Sequence, residues 1–216
     1  MKIYVTKFSK YIPSPENPGE QPKLEYVDPL FRRRLSQLTR MTIEVLHDLS
    51  ESGGEELKKT FFSSKLTFAS FRGEIARQLK INKGLVEDAA VLPAPFSLSV
   101  FNTPPAAATI ALGMKAGYTA IYPSEDNFLS AFIAASGTIL SGSEKSVIFA
   151  YADEKIPEEY KNCKNYIEES PLAFACLLSS TKIDGAIEVS LEKADISQIA
   201  SSPINFLTWL ESNWKN

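Results

Sequence analysis

The sequence predicts an α/β fold in which a mixed sheet carries helices on both faces, and a strand–helix–strand pattern in its second half is the clearest sign. Residues 118–122 are aromatic or apolar, as in a strand, and a helical segment follows, with Ser124 as predicted N-cap and Gly142 as its end. Residues 146–151 are continuously apolar, which is typical of a parallel strand buried on both faces. This order predicts a crossover unit, and such units are almost always right-handed.

The N-terminal part supplies one further strand and a long amphipathic helix. Residues 1–8 favour a strand, and the Pro- and Gly-rich segment at about 11–23 is predicted to be an exposed loop. From Pro29 to the glycine pair at 53–54, apolar residues recur every three or four positions, which predicts one helix.

The middle of the chain predicts a strand followed by short helices. Residues 65–70 alternate as in a strand, and residues 73–79 and 83–91 favour two short helices. Residues 96–100 read as a short extended segment. A small-residue helix is then predicted over 106–114, because proline is well tolerated in a first helical turn.

The chain ends with a predicted antiparallel addition. Residues 173–179 and 186–192 each favour a strand, and the Asp-Gly pair at 184–185 is typical of a hairpin turn. Residues 205–214 have helical spacing. The sequence therefore predicts a C-terminal hairpin and helix over about 172–216.

Composition excludes several classes of protein. The 216 residues are 44% hydrophobic and suffice for one domain, residues 1–216, with a core that needs no metal or disulfide. The balance of 23 basic and 26 acidic residues argues against a nucleic-acid-binding surface. Apolar runs are broken well before the length that crosses a bilayer, so we expect a cytoplasmic protein with no membrane span.

The potential metal ligands are few and scattered. Cys163 and Cys176 are expected to be free thiols, and with the single histidine, His47, they do not form a recognisable zinc site. His47 falls on the polar face of its predicted helix. We therefore expect no metal and no cofactor.

Several segments resemble the β-ketoacyl synthase superfamily. They are Phe-Ser-Leu-Ser-Val-Phe-Asn at 96–102, the small-residue helix ending in Gly-Met-Lys-Ala-Gly at 113–117, and the strand and helix at 117–146; the segment from Arg32 is also similar. The closest likeness, over about residues 24–160, is to stand-alone β-ketoacyl synthase-like N-terminal domains and chain-length-factor-like proteins of aryl polyene and polyketide-type gene clusters. The resemblance implies a thiolase-like half-fold.

The resemblance also places the nucleophile position. Counting back from Gly142, the catalytic cysteine of synthases falls on Glu125, flanked by Ser124 and Asp126. Thioester exchange requires a thiolate, and a carboxylate at a helix N-terminus would be held ionised instead. The histidines of the second half of a synthase have no counterpart in these residues. We therefore expect no catalytic residue.

The resemblance implies a non-catalytic accessory subunit of fatty-acid-like, aryl polyene or polyketide biosynthesis. Its partners would be a β-ketoacyl synthase, an acyl carrier protein, or both. Two alternatives stay open: an acyl-thioester decarboxylase or hydrolase that uses Glu125, and a self-associating acyl-binding module, which would be a homodimer.

Two segments are candidate partner contacts. In thiolase-like folds the strand equivalent to Tyr118, Ile121 and Tyr122 pairs across a two-fold axis, although these side chains also suit plain core packing. The run Arg32-Arg33-Arg34 suits phosphate or carboxylate groups of a carrier protein, although such a run is more often a solvated helix start.

Overall fold

A computed structural model describes residues 1–123, 125, 127–163 and 170–214. Its centre is a six-stranded mixed sheet with strand order β3-β2-β4-β5-β1-β6. The strands are β1 (Lys2–Tyr11), β2 (Lys65–Ala69), β3 (Tyr118–Ile121), β4 (Ser146–Asp153), β5 (Leu172–Ser179) and β6 (Ile187–Ser190). β2 is parallel to both β3 and β4, whereas β5 is antiparallel to β4 and β1, and β1 is antiparallel to β6.

Helices cover both faces of this sheet, as predicted. They are α1 (Pro29–Arg32), α2 (Gln37–Glu51), α3 (Glu55–Ser63), α4 (Ile75–Asp88), α5 (Pro93–Ser97), α6 (Thr103–Leu112), α7 (Phe128–Leu140), α8 (Lys193–Ile199) and α9 (Pro203–Asn213). In the described part of the chain no helix is both long and apolar enough to span a bilayer.

The core has two layers because strand side chains alternate between the faces. From β4, Phe149 and Tyr151 enter a cluster under α7 and α9, while Ile148 and Ala150 enter a cluster under α2 and α6. The predicted burial of this strand on both faces is therefore confirmed.

The helix predicted from Pro29 is two helices. Ser36 is the N-cap of α2, where its Oγ accepts a hydrogen bond from the Thr39 N–H at 3.0 Å, and α1 ends before it. The periodic apolar residues of α2, such as Leu38 and Leu46, are buried as predicted. A capping serine inside a periodic pattern interrupts the helix without changing the buried face.

Three other predictions in the middle of the chain are corrected. The two short helices predicted at 73–79 and 83–91 form one helix, α4, which ends at Ala89 with φ of +50°. The extended segment predicted at 96–100 is instead the end of α5 followed by turns. α3 and α8 were not predicted, because both are short and mostly exposed.

The predicted C-terminal hairpin is wrong, although its two strands exist. β1 lies between β5 and β6 and pairs with both. Gly185, with φ of +75°, does form a turn, but the link crosses β1 instead of closing a hairpin. A turn pair indicates where the chain reverses and not which strands pair. The final helix is confirmed as α9.

Candidate functional site

The carboxyl ends of β2, β3 and β4 meet at one edge of the sheet, where α/β proteins usually place their sites. Ser70, Tyr122 and Asp153 lie at these strand ends, and Glu125 follows β3. Glu125 is exposed and has φ of +54°, a left-handed conformation that costs a non-glycine residue about 1 kcal/mol or more.

The helix after this loop begins later than predicted. Asn127 caps α7, with its side chain accepting a hydrogen bond from the Ser130 N–H at 3.2 Å. Ser124, the predicted cap, and Asp126 lie outside the described residues. Glu125 therefore stands two residues before the N-cap of α7 and not in its first turn.

Asp153 is buried and anchors the loop after β2. Its carboxylate accepts hydrogen bonds from the Ser70 hydroxyl (2.6 Å), from the backbone N–H groups of Phe71 and Arg72 (both 3.0 Å), and from the Tyr151 hydroxyl. Burial raises the pKa of Asp153, and these four donors oppose the rise by stabilising the charged form. The sequence analysis missed this role, although Asp153 begins an acidic pair at the end of an otherwise apolar strand.

The loop after β2 also supports Tyr122. Gly73 has φ of +59°, and a Cβ there would lie 3.1 Å from Tyr122 Cε1. The Tyr122 ring stacks on Phe101 at 4.5 Å between centroids, and its hydroxyl donates to the Phe101 carbonyl. Asn102 donates from Nδ2 to the Tyr118 hydroxyl at 3.2 Å. β3 is thus tied to the segment that precedes α6.

Two further buried carboxyl groups belong to Glu74 and to Glu154, which follows Asp153 in the chain. Glu74 and Glu154 are both buried, and each binds groups on α2 and α4. Burial and the neighbouring Glu74 raise the pKa of Glu154 to about 7. Glu74 does not stand out in the sequence, whereas Glu154 is the second residue of the acidic pair that follows the apolar strand β4.

The histidine and cysteines lie apart from this edge. Cys176 is buried in β5, and its burial raises the pKa of the thiol, whereas Cys163 is exposed. The His47 ring stacks on Tyr26 at 3.7 Å. Among the described residues, no group of three or more His, Cys, Asp or Glu side chains is arranged to hold a metal ion.

The predicted partner contacts divide into exposed and half-buried residues. Tyr118 is exposed on β3, but Ile121 packs against the cluster under α7. Arg32 donates to the carbonyls of residues 23 and 24 at 2.9 and 3.0 Å, so it has a structural role. Arg33 and Arg34 are exposed.

An apolar band, which the sequence did not predict, lies beside β3. It runs from the end of α4 through α5 to α6 and consists of Leu85, Val86, Leu92, Phe96, Val100, Phe101 and Ile110. Val86 and Ile110 are 84% and 71% exposed. A groove of about 320 Å³ between α1, α5 and α6 joins the band to Arg34. Exposed apolar side chains concentrated on neighbouring helices in this way are a candidate interaction site.

The chain was compared with known families and structures. A model of the family described as beta-ketoacyl synthase, N-terminal domain, matches residues 9–205. The fold is similar to a ketosynthase (ApeO) in complex with its chain length factor (ApeC) from Xenorhabdus doucetiae, with a TM-score of 0.68 and 19% identity over 84% of this chain and 80% of that chain. A search of curated proteins finds no match.

Two further structures share the fold. The ishigamide ketosynthase/chain length factor has a TM-score of 0.65 and 11% identity, and 84% of this chain covers 63% of that one. A ketosynthase complex with a type II polyketide acyl-carrier protein (AntDE:AntF) has a TM-score of 0.60 and 12% identity, with 82% and 62% of the two chains covered. The chain thus spans less than two thirds of the length of these two relatives.

Proposed function

Because this chain belongs to the family of β-ketoacyl synthase N-terminal domains, we propose that it is a non-catalytic, chain-length-factor-like subunit that pairs with a β-ketoacyl synthase. The pathway would be of the fatty-acid-like, aryl polyene or polyketide type. In this proposal the chain is a single domain, and the paired synthase supplies the thiolate.

The observation that carries the proposal is the exposed surface at the β3 end of the sheet. β3 is a terminal strand of the sheet, so the backbone groups on its outer side have no strand partner among the described residues. The apolar band lies next to this open edge. An exposed apolar edge strand promotes aggregation unless another chain covers it. A partner subunit would cover both the edge of β3 and the apolar band.

The other end of the sheet lacks this combination. β6 is also terminal and, like β3, has four residues, but Glu188 on it pairs with Lys2 at 2.5 Å. Charged side chains on an edge strand are a common protection of sheet edges. The contrast supports β3, and with it the exposed Tyr118, as the side that meets the synthase.

The test is co-expression with the β-ketoacyl synthase encoded nearest to this chain, followed by light scattering of the purified material. We expect a stable mixed complex. Ile110→Glu places a charge in the apolar band and should weaken the complex at least tenfold. Ile133→Glu is the matched control, because Ile133 is also an exposed isoleucine of a helix but lies on α7, on the opposite face of the sheet.

Each outcome separates the proposal from its alternatives. Equal weakening by Ile110→Glu and Ile133→Glu would contradict the assignment of the band. A homodimer that ignores the synthase would favour the self-associating acyl-binding module. A monomer that ignores it would remove the accessory-subunit proposal altogether.

The acyl carrier protein is the second proposed partner, and Arg33 and Arg34 are the residues that would contact its acidic groups. Arginine binds phosphate and carboxylate groups through two parallel hydrogen bonds. Reversing both charges, Arg33→Glu with Arg34→Glu, should abolish carrier binding in titration calorimetry. The control is Lys182→Glu with Lys193→Glu, which reverses two exposed charges near β6. Unchanged binding in the arginine variant would remove this contact.

One observation favours the enzymatic alternative enough to justify its own assay. Non-glycine residues in left-handed conformations cluster at functional sites, and Glu125, the predicted nucleophile-equivalent residue, has this conformation. If Glu125 is catalytic, the wild-type chain should decarboxylate malonyl carrier protein or hydrolyse the thioester of acyl carrier protein, and Glu125→Ala should not. We expect no turnover by the wild-type chain or by the variant.

A further inference from the structure

The helix that begins the apolar band is held to the fold by polar groups. α4 carries Leu85 and Val86 of the band, yet none of its residues is fully buried. Near its C-terminal end, Lys83 forms an exposed ion pair with Glu159 at 2.5 Å. Since exposed pairs contribute little, the position of α4 depends on the contacts at its N-terminus.

Glu154 joins two helix N-termini through its two carboxylate oxygens. Oε1 accepts a hydrogen bond from the Ala76 N–H of α4 at 3.0 Å, and Oε2 accepts one from the Leu38 N–H of α2 at 3.4 Å. The first N–H groups of a helix have no partner within the helix. One side chain from the end of β4 thus holds α4 against α2.

Glu74 makes the same connection from the other side. Its Oε1 accepts hydrogen bonds from the hydroxyls of Ser36 and Thr39, both at 2.7 Å, and its Oε2 accepts one from Arg77 Nε at 2.9 Å. The Glu74 side chain is completely inaccessible to solvent. Arg77 in turn donates to the Arg34 carbonyl at 2.9 Å, which adds a contact to the segment between α1 and α2.

The charges in this cluster do not balance. Among the described residues, Arg77 is the cation that faces Glu74 and Glu154, so within this part of the chain one carboxylate has no full counter-charge when both are ionised. Asp153 is adjacent in sequence but binds the loop after β2, and Lys155 is directed towards Glu158 at 3.8 Å. Burial and Glu74 raise the pKa of Glu154, while the two N–H groups and Arg77 lower it, with a result of about 7.

We propose that Glu74 and Glu154 form a proton-linked clasp, which seats α4 when Glu154 is protonated and loosens it when Glu154 is ionised. The clasp is a property of the isolated chain. Its consequence for function, that the α4 end of the partner surface becomes less ordered as the pH rises, rests on the function proposed above. Glu74 and Glu154 are positioning residues and have no contact with a reacting group in this proposal.

The test is hydrogen exchange of the isolated chain, read as protection factors for the amides of α4 relative to those of β4. If Glu154 returns to its ordinary pKa of 4.5 when α4 opens, a native pKa of about 7 makes opening about tenfold more frequent at pH 8 than at pH 6. Glu154→Gln resembles the protonated acid and should remove this dependence. Glu159→Gln, which removes only the exposed pair with Lys83, should leave it unchanged.

A second measurement keeps the proposal testable if Glu154→Gln does not fold. Carboxyl-carbon NMR titration should place Glu154 near pH 7 in the native chain, and Glu74→Gln should lower that value by removing the neighbouring charge. An α4 protection ratio that is constant from pH 6 to 8, or a Glu154 that titrates in the ordinary range, would overturn the clasp.

The clasp and the proposed function fail in different experiments. A chain with the expected exchange behaviour that binds no synthase at either pH retains the clasp and loses the partner proposal. A chain that binds the synthase with no pH dependence in α4 retains the partner proposal and loses the clasp.

Discussion

The aromatic core on one face of the sheet and the surface at the β3 end are stabilised in different ways. Under α7 and α9, the rings of Phe128, Phe132, Phe174 and Phe206 are all buried, and the centroids of the first three lie 4.8–5.7 Å from that of Phe206. At the β3 end, by contrast, the apolar band faces solvent and α4 is attached by buried carboxyl groups. The first region is built like a domain core and the second like an interface with its partner removed.

This difference separates stability from partner binding. Apolar burial stabilises the native state independently of pH, whereas buried carboxyl groups link the structure to protonation. Substitutions in the aromatic cluster should therefore lower the free energy of unfolding, and substitutions in the band should affect association with little cost to the fold.

The largest expected effect is from Phe206→Ala. Phe206 is completely buried and contacts Phe132 at 4.8 Å between centroids, so its removal leaves a large cavity. The free energy of unfolding should fall by about 3–5 kcal/mol, measured by urea denaturation. Ile204→Ala on the same helix removes a half-exposed side chain and should cost less than ~1 kcal/mol. Equal losses would mean that α9 does not close the core as described.

The next effect is the pH dependence of global stability. Since the pKa of Glu154 is raised from 4.5 to about 7, the native state binds more protons than the unfolded state between these values. Stability should therefore fall as the pH rises through this window, by at most about 3 kcal/mol from this group, and then level off. Asp153, whose pKa is also raised by burial, changes stability in the same direction.

Urea denaturation between pH 5 and 8 measures this slope. Glu154→Gln should flatten it, while the Phe206→Ala variant should lose the same stability at every pH. A wild-type slope of the opposite sign would show that the hydrogen bonds to the ionised carboxylates outweigh their burial.

The parts of the fold that were predictable from sequence are those with strong local patterns. The continuous apolar run of β4 and the apolar spacing of α2 identified elements whose burial the structure confirms. The pairing of β5 and β6 with β1 was not predictable, because local turn residues carry no information about distant partners. The position of β1 between β5 and β6 is set by tertiary packing.

The residues of the candidate site also differ in how far the sequence predicts them. Glu125 was singled out because the resemblance supplies a reference glycine at 142, and its functional role stays a prediction. Glu74, Asp153 and Glu154 were missed because their burial depends on elements far apart in the chain. A signal was nevertheless present in the acidic pair that ends the apolar strand β4, where carboxylates at a sheet edge meet other strand ends.

The smallest expected effect compares two glycines, one at the β3 end and one in the helix over the aromatic cluster. Gly73 combines φ of +59° with a Cβ position 3.1 Å from the Tyr122 ring, so Gly73→Ala should destabilise the chain by about 1 kcal/mol or more. Gly137 lies inside α7 with no atom within 4 Å of an added Cβ, so Gly137→Ala should stabilise it by about 0.5–1 kcal/mol. Thermal unfolding measures both. If Gly73→Ala were also stabilising, the loop that ties β2 to Tyr122 would be free to adjust, and the β3 end would be less constrained than its hydrogen bonds indicate.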